Sequence, residues 1–226
     1  MTAGPLEQLA ARALELVRDG AIVGLGSGRA ASAFVRALAG KVREGGAVRG
    51  VPTSEATAAL ARELGLPLVD LGEGAIELTV DGADEVDPAL SLIKGYGGAM
   101  LRERIVAAAS RRQVILVEAE KLVPVLGSRG RLPLEVLPFA LPLALDRLTR
   151  RGLRPVVRSA DGRRALSDNG NLIVDCGIGL IADPAALDRE LRAIPGVIDT
   201  GFFLGTADTV LVAEGGRVRE LKRPSA

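Results

Sequence analysis

The feature that most constrains this chain is a rhythm. Through about residue 125, short apolar runs alternate with segments of helical spacing. An amphipathic helix is expected from Leu6 to Val17, then the buried-strand pattern Ala21–Leu25. Gly26-Ser27-Gly28 turns the chain into a second helix whose apolar spacing (Ala30, Phe34, Leu38) runs to about Leu38. Further strands are expected at Val48–Val51, Pro67–Asp70, Ile76–Asp81 and Gln113–Glu118, with helices at Glu55–Leu64, capped by Ser54, and at Ala99–Ala109. Strands alternating with helices of ten to twelve residues imply a parallel sheet covered on both faces.

From about Arg131 the rhythm changes. Strands at Leu134–Leu137 and Pro155–Arg158 flank a helix from Ala140 to Arg150 that Gly152 ends. Leu172–Asp175 pairs with the second of them across a turn-rich stretch, Asp183 caps a helix from Pro184 to Ala193, and Val197–Phe203 closes the set. The order β-α-β-β-α-β is the ferredoxin-like pattern. Thr209–Ala213 then reads as a strand returning to the first sheet. No internal repeat, charge block or low-complexity segment interrupts the 226 residues, a length that buries an ample core without staples.

Composition narrows the chemistry. The chain has no histidine, so Ser–His catalysis, histidine bases and histidine metal ligands are all excluded. Its one cysteine, Cys176, ends an apolar run and reads as a buried small hydrophobe; it permits no internal disulfide and no cysteine zinc site. With 29 basic against 28 acidic residues and only five aromatics, neither nucleic acid nor an anionic membrane is an expected partner. The longest apolar run, Val136–Leu145, carries Pro138 and Pro142 and is too short to span a bilayer; the N-terminal Met-Thr-Ala-Gly-Pro-Leu-Glu-Gln lacks the pattern of a signal peptide. A cytoplasmic protein is expected. Among 29 cations only four are lysines (Lys41, Lys94, Lys121, Lys222), and only lysine has an ammonium whose proton can be given up.

Three constellations carry chemistry. Gly24-Leu25-Gly26-Ser27-Gly28-Arg29-Ala30-Ala31 leads from a strand into a helix, and its amides can converge on an anion. A phosphate cradle, a tight structural turn and a dinucleotide fingerprint all fit, although the acid a dinucleotide site wants about twenty residues on is missing. Thr79-Val80-Asp81-Gly82-Ala83-Asp84-Glu85 puts two acids at the C-terminal end of an apolar strand, where open α/β sheets place ligands; a turn with Asp84 as a helix cap is the plain alternative, and the spacing does not make a calcium loop. Ile93-Lys94-Gly95-Tyr96-Gly97-Gly98-Ala99 offers a lysine and an amide-rich nest, followed on a helix by Glu103, either a general base or a solvated acid paired with Arg102 or Arg104. No metal-ligand set and no cofactor signature accompany them. The combination suits proton abstraction next to the carbonyl of a small phosphorylated substrate.

These motifs, with Val51-Pro52-Thr53-Ser54, Pro133-Leu134-Glu135-Val136-Leu137-Pro138, Asp168-Asn169-Gly170-Asn171 and Ile194-Pro195-Gly196-Val197, resemble ribose-5-phosphate isomerase type A across nearly the whole chain. The resemblance implies a Rossmann-like catalytic domain (1–128 and 206–226) with an inserted ferredoxin-like domain (129–205), and a homodimer or homotetramer. It also implies metal-independent interconversion of ribose 5-phosphate and ribulose 5-phosphate in the pentose phosphate pathway. On that footing Glu103 matches the proton acceptor, and Asp81, Asp84 and Lys94 assist ring opening and polarise sugar oxygens. Gly95, Tyr96 and Gly97 form the amide loop, Asp81, Gly82, Ala83 and Asp84 line the substrate, Ser27, Gly28, Arg29 and Ala30 match the phosphate stretch, and Lys121 matches a further substrate-binding lysine. Arg29 and Ala30 replace two hydroxyl residues, and Glu118 and Glu120 stand where Asp and Ser are usual. A non-catalytic sugar-phosphate sensor of the same architecture is the rival reading, as is a dinucleotide oxidoreductase. The stretch before the first strand is too short for the DNA-binding helices a sensor would carry.

Overall fold

The computed structural model describes residues 4–223, so the first three residues of the N-terminal segment and both ends of the expected catalytic domain lie outside them. The chain divides into two compact units. One holds the chain up to Ala83, Arg102–Leu122 and the stretch from Gly205; the other holds Asp84–Leu101 and Val123–Leu204.

In chain order the elements are α1 (Pro5–Leu14), β1 (Ile22–Leu25), α2 (Gly28–Arg43), β2 (Arg49–Pro52), α3 (Glu55–Glu63), β3 (Ile76–Gly82), β4 (Glu85–Val86), β5 (Leu92–Ile93), α4 (Leu101–Ala109) and β6 (Gln113–Glu118). There follow β7 (Arg131–Val136), α5 (Leu141–Arg150), β8 (Arg154–Val157), β9 (Ser159–Ala160), β10 (Arg163–Arg164), β11 (Leu172–Gly177), α6 (Pro184–Arg192), β12 (Val197–Thr200), β13 (Phe202–Phe203), β14 (Thr209–Glu214) and β15 (Arg217–Lys222).

The first unit is built on a six-stranded sheet in the order β15-β14-β6-β3-β1-β2, parallel except for the β14–β15 hairpin. β1 is followed in sequence by its neighbour on one side and then by its neighbour on the other, so strand order reverses between β1 and β3. In open α/β sheets that switch point, at the carboxyl ends of the strands, is where ligands bind. Leu9, Phe34, Leu38, Val23, Leu25, Leu78 and Leu211 join one buried cluster of this unit.

In the second unit β7, β8, β11 and β12 form an antiparallel sheet in the order β12-β7-β11-β8. With α5 and α6 between them this is the ferredoxin-like arrangement. Cys176 is buried in its core with Leu134, Val174 and Leu191, as its apolar neighbours imply. Buried Glu135 accepts through Oε1 from Ser167 Oγ (2.7 Å), Asn169 Nδ2 (3.1 Å) and Asn171 Nδ2 (2.8 Å), which fastens the Asp168–Asn171 turn.

Several expectations need correction. The domain boundary falls elsewhere: residues 84–101 and 123–128 group with the second unit, because β4 pairs with β5, β5 with β13, and Val123 donates to Val86 O. Pro67–Asp70 is not a strand; Leu68 makes a single bridge to Gly50, and a turn follows at Leu71. α1 ends at Leu14, since Leu16 and Val17 donate to Ala13 O and Leu14 O and so tighten the last turn. α2 runs on to Arg43, its apolar face continued by Ala39 and Val42. Val197–Phe203 is two strands in two sheets. Gly201 turns the chain between them, where an added Cβ would fall 2.5 Å from Lys94 O. No strand is expected beyond Thr209–Ala213, but the turn at Gly215-Gly216, both at positive φ, folds β15 back onto β14.

Candidate active site

The turn after β1 meets the end of β3. Gly26 N donates to Val80 O at 2.9 Å, and Ser27 N donates to Asp81 Oδ1 at 3.1 Å. Gly82 N donates to the same oxygen at 2.7 Å, so the fully buried Asp81 carboxylate is fixed by two backbone amides. Only glycine fits at position 26, since a Cβ there would lie 2.3 Å from Asp81 Oδ1. Ser27, Gly82 and Asp81 are thus brought together at the switch point.

Beneath the turn runs a chain of hydroxyls. Ser27 Oγ donates to Ser54 Oγ, Ser54 Oγ to Thr57 Oγ1, and Thr57 Oγ1 to Gly26 O, each at 2.9 Å. Thr53 Oγ1 lies 2.9 Å from Ser27 Oγ and donates to Leu25 O at 2.9 Å. Ser54 also caps α3, accepting from Thr57 N at 3.1 Å as its position implied. Neither Thr53 nor Thr57 is among the expected site residues; the motif Val51-Pro52-Thr53-Ser54 signals Thr53 alone, and nothing local signals Thr57. Ser27 turns both its amide and its hydroxyl inward, and Gly28, Arg29 and Ala30 form the start of α2. Gly28 has φ of +85°. Arg29 is 76% exposed in its side chain and reaches Glu118 Oε1 at 3.3 Å.

Glu103 stands in the first turn of α4 and is 3% exposed. The solvated alternative therefore does not describe it. Its neighbour Arg102 donates to Glu55 at 2.7 Å, a bond that lowers the Glu55 carboxyl below its usual range. Lys121 ends a single 3₁₀ turn after β6, partly buried, with Nζ 3.9 Å from Glu120.

In the second unit Asp84 is not a helix cap. Its amide donates to Ile93 O at 2.8 Å and its Oδ2 accepts from Tyr96 N at 2.9 Å, drawing the start of the glycine loop onto the acid, while Ala83 ends the first unit in the sequence just before it. Glu85 is fully buried and accepts from Gly127 N and Arg129 N, both at 2.7 Å, so it holds a loop. Lys94 is 3% exposed, its amide donates to Gly201 O, and its ammonium lies 5.4 Å from the Phe203 ring centroid, within cation–π range. Gly95 and Gly98 have φ of +101° and +96°, and Gly98 N donates to Gly95 O at 3.0 Å, closing a tight turn around Tyr96 and Gly97. Arg131 stacks on the Tyr96 ring at 3.9 Å. Burial, then Glu85 and Asp84, push the Tyr96 phenol up to about 12. Among the described residues, no group of three or more His, Cys, Asp or Glu side chains is arranged to hold a metal ion.

Comparison with known proteins finds relatives along nearly the whole chain. Residues 49–216 match the family model of ribose 5-phosphate isomerase A (phosphoriboisomerase A). The chain is 49% identical over 221 residues to ribose-5-phosphate isomerase A of Roseiflexus castenholzii, covering 96% of this chain and 94% of that one. It is 50% identical over 224 residues to the Gloeobacter violaceus protein of the same name, covering 98% and 97%. Among solved structures it is similar to ribose 5-phosphate isomerase A of Methanocaldococcus jannaschii, with a TM-score of 0.92, 39% identity and coverage of 96% and 98%. A D-ribose-5-phosphate isomerase in complex with phospho-erythronic acid matches with a TM-score of 0.94, 35% identity and coverage of 99% and 100%.

Proposed function

The chain belongs to the ribose 5-phosphate isomerase A family, and from that premise we propose how its residues divide the work. The reaction interconverts D-ribose 5-phosphate and D-ribulose 5-phosphate through an enediolate, a step of the pentose phosphate pathway. Glu103 is the base that takes the proton from C2 and returns it to C1. The observation that carries this assignment is its place: a carboxylate 3% exposed in the first turn of the helix that directly follows the amide-rich glycine loop in the chain. Asp81, immobilised by two amides, accepts from sugar hydroxyls. Asp84 and Lys94 keep the roles the family resemblance gives them, ring opening and polarisation of the carbonyl oxygen. Gly95, Tyr96 and Gly97 supply amides to the substrate oxygens. The start of α2 with Arg29, and Lys121 after β6, bind the phosphate end of the pentose.

The phospho-erythronic acid held by a related enzyme is a phosphorylated four-carbon acid, and its carboxylate resembles the charge of an enediolate. That supports a phosphorylated pentose as the ligand here. We place the protein in the cytoplasm; none of the described helices is long and apolar enough to cross a membrane, and its one cysteine is buried and unpaired in disulfide terms.

Positioned proton transfer is typically worth about 10²–10⁴-fold, so Glu103→Gln should lower kcat by that factor with little change in KM. More than about a tenth of the parent activity remaining would remove Glu103 from the base role. The parent enzyme should turn over at full rate in EDTA with no added cofactor, and a loss that magnesium or manganese restores would contradict the metal-free scheme.

A further inference from the structure

One side chain outside every motif grips the glycine loop. Arg158, directly after β8, donates from Nη2 to Gly95 O and from Nη1 to Tyr96 O, both at 3.1 Å. The same guanidinium is held from behind by Asp175 of β11, with Nε to Oδ2 at 2.8 Å and Nη2 to Oδ1 at 2.5 Å. Both side chains are largely buried, at 17% and 15% exposure. Arg131 flanks the pair, its Nε 3.7 Å from Asp175 Oδ1, and its Nη2 reaches Tyr96 O only at 3.5 Å, so Arg158 makes the shorter bond to that carbonyl.

The geometry has a consequence for the amides. A peptide is planar, and no cis bond occurs among the described residues, so each N–H points opposite to the carbonyl of its own plane. Holding Gly95 O and Tyr96 O on the guanidinium turns Tyr96 N–H and Gly97 N–H the other way. Tyr96 N–H goes to Asp84. Gly97 N–H is thereby presented on the face of the loop away from Arg158. Glycines at 95, 97 and 98 give this loop little stiffness of its own, so the planes need an outside restraint.

Resting on the reading that this loop's amides meet substrate oxygens, we propose that Arg158, aligned by Asp175, is a positioning residue of the isomerisation. It orients the Gly97 amide toward the oxyanion that develops in the transition state. Lysine cannot substitute, because one ammonium does not form the planar fork that spans two carbonyls and a carboxylate.

The test compares Arg158→Lys and Arg158→Ala in the full chain, with kcat, KM for ribose 5-phosphate and Tm measured for each. Loss of a single oxyanion donor costs about 10²–10³ in kcat, so a displaced one should cost about tenfold to hundredfold in Arg158→Lys, with KM within about threefold. Millimolar guanidinium, and not ammonium, should restore a large part of the kcat of Arg158→Ala without moving its Tm. An Arg158→Lys enzyme whose kcat stays within about twofold of the parent overturns the proposal, and so does a folded Arg158→Ala enzyme that guanidinium fails to rescue. Should Arg158→Ala not fold, the lysine variant decides alone. Glu103→Gln is assayed alongside: if it stays active the reading of the site falls, whereas an inactive Glu103→Gln beside a fully active Arg158→Lys sinks only the role of Arg158.

Discussion

Arg29 shows how one residue's surroundings set its task. It lies in the first turn of α2, where a cation opposes the positive end of the helix at a cost of about 0.3–1 kcal/mol, and that turn contains no acid to offset it. Glu118 answers the charge only at 3.3 Å and in solvent. A phosphate dianion would reverse the local field, and Ser27 directs its own donors inward. Arg29→Ala is therefore expected to raise KM for ribose 5-phosphate about tenfold or more, given about 1.5–3 kcal/mol for a charged hydrogen bond. An unchanged KM in low-salt buffer would leave it a surface residue. Tyr96 offers a second measurement, because it is the only tyrosine and the chain has no tryptophan. Its phenol, half-buried and in the field of Glu85 and Asp84, is raised from 10.0 to about 12. A raised folded pKa favours the neutral form in the native state, so the stabilisation is complete below pH 10 and is lost as pH climbs through about 12. Tyrosinate absorbance should stay flat through pH 10 in the native protein and develop there once it is unfolded; a native titration centred at 10 would refute the burial of this ring in solution.

At the level of elements, α6 was legible because both of its start signals are local. Asp183 accepts from Ala186 N at 2.8 Å and Pro184 occupies the first helical turn, where its missing N–H costs nothing. Asp183→Ala should cost about 1 kcal/mol, a fall of about 2–4 °C in Tm for a chain of this size, with kcat unchanged. A Tm identical to the parent's would show that the cap contributes nothing. β12 and β13 were not separable in the same way. Val197–Phe203 reads as a single strand, and its division at Gly201 depends on the approach of Lys94 O, more than a hundred residues earlier in the chain. The pair β4 and β5 carries no local signal for a related reason. Two-residue strands carry no periodicity to detect, and their pairing with each other and with β13 is what draws residues 84–101 into the second unit.

For the whole molecule, the similarity runs over nearly all of the chain and of its relatives, so the activity belongs to the complete architecture and not to a shared fragment. Self-association is the remaining expectation. Phe139 is 93% exposed, with Leu137 and Leu143 of the same segment 42% and 41% exposed. Exposed apolar side chains this close together in the chain make the segment a candidate contact surface. Light scattering should give a homodimer or homotetramer of the 23.4 kDa chain, and Phe139→Ser should shift that mass downward. A monomeric parent at micromolar concentration would exclude the assembly.

The residue types and their order determined the alternation of strands and helices, the ferredoxin-like second half, the absence of histidine chemistry and the identity of Asp81, Asp84, Lys94 and Glu103 as the groups to watch. These are readings of local pattern, where a few adjacent residues carry the whole signal. Tertiary structure decided the rest. It buried Glu103, turned the donors of Ser27 inward onto Asp81, Thr53 and Ser54, and set Arg158 and Asp175 behind the glycine loop. Each of these depends on a hydrogen bond or a close approach between residues far apart in sequence. An arginine in a chain with twenty-five of them gives no hint of which carbonyls it will reach until the sheet that carries it has formed.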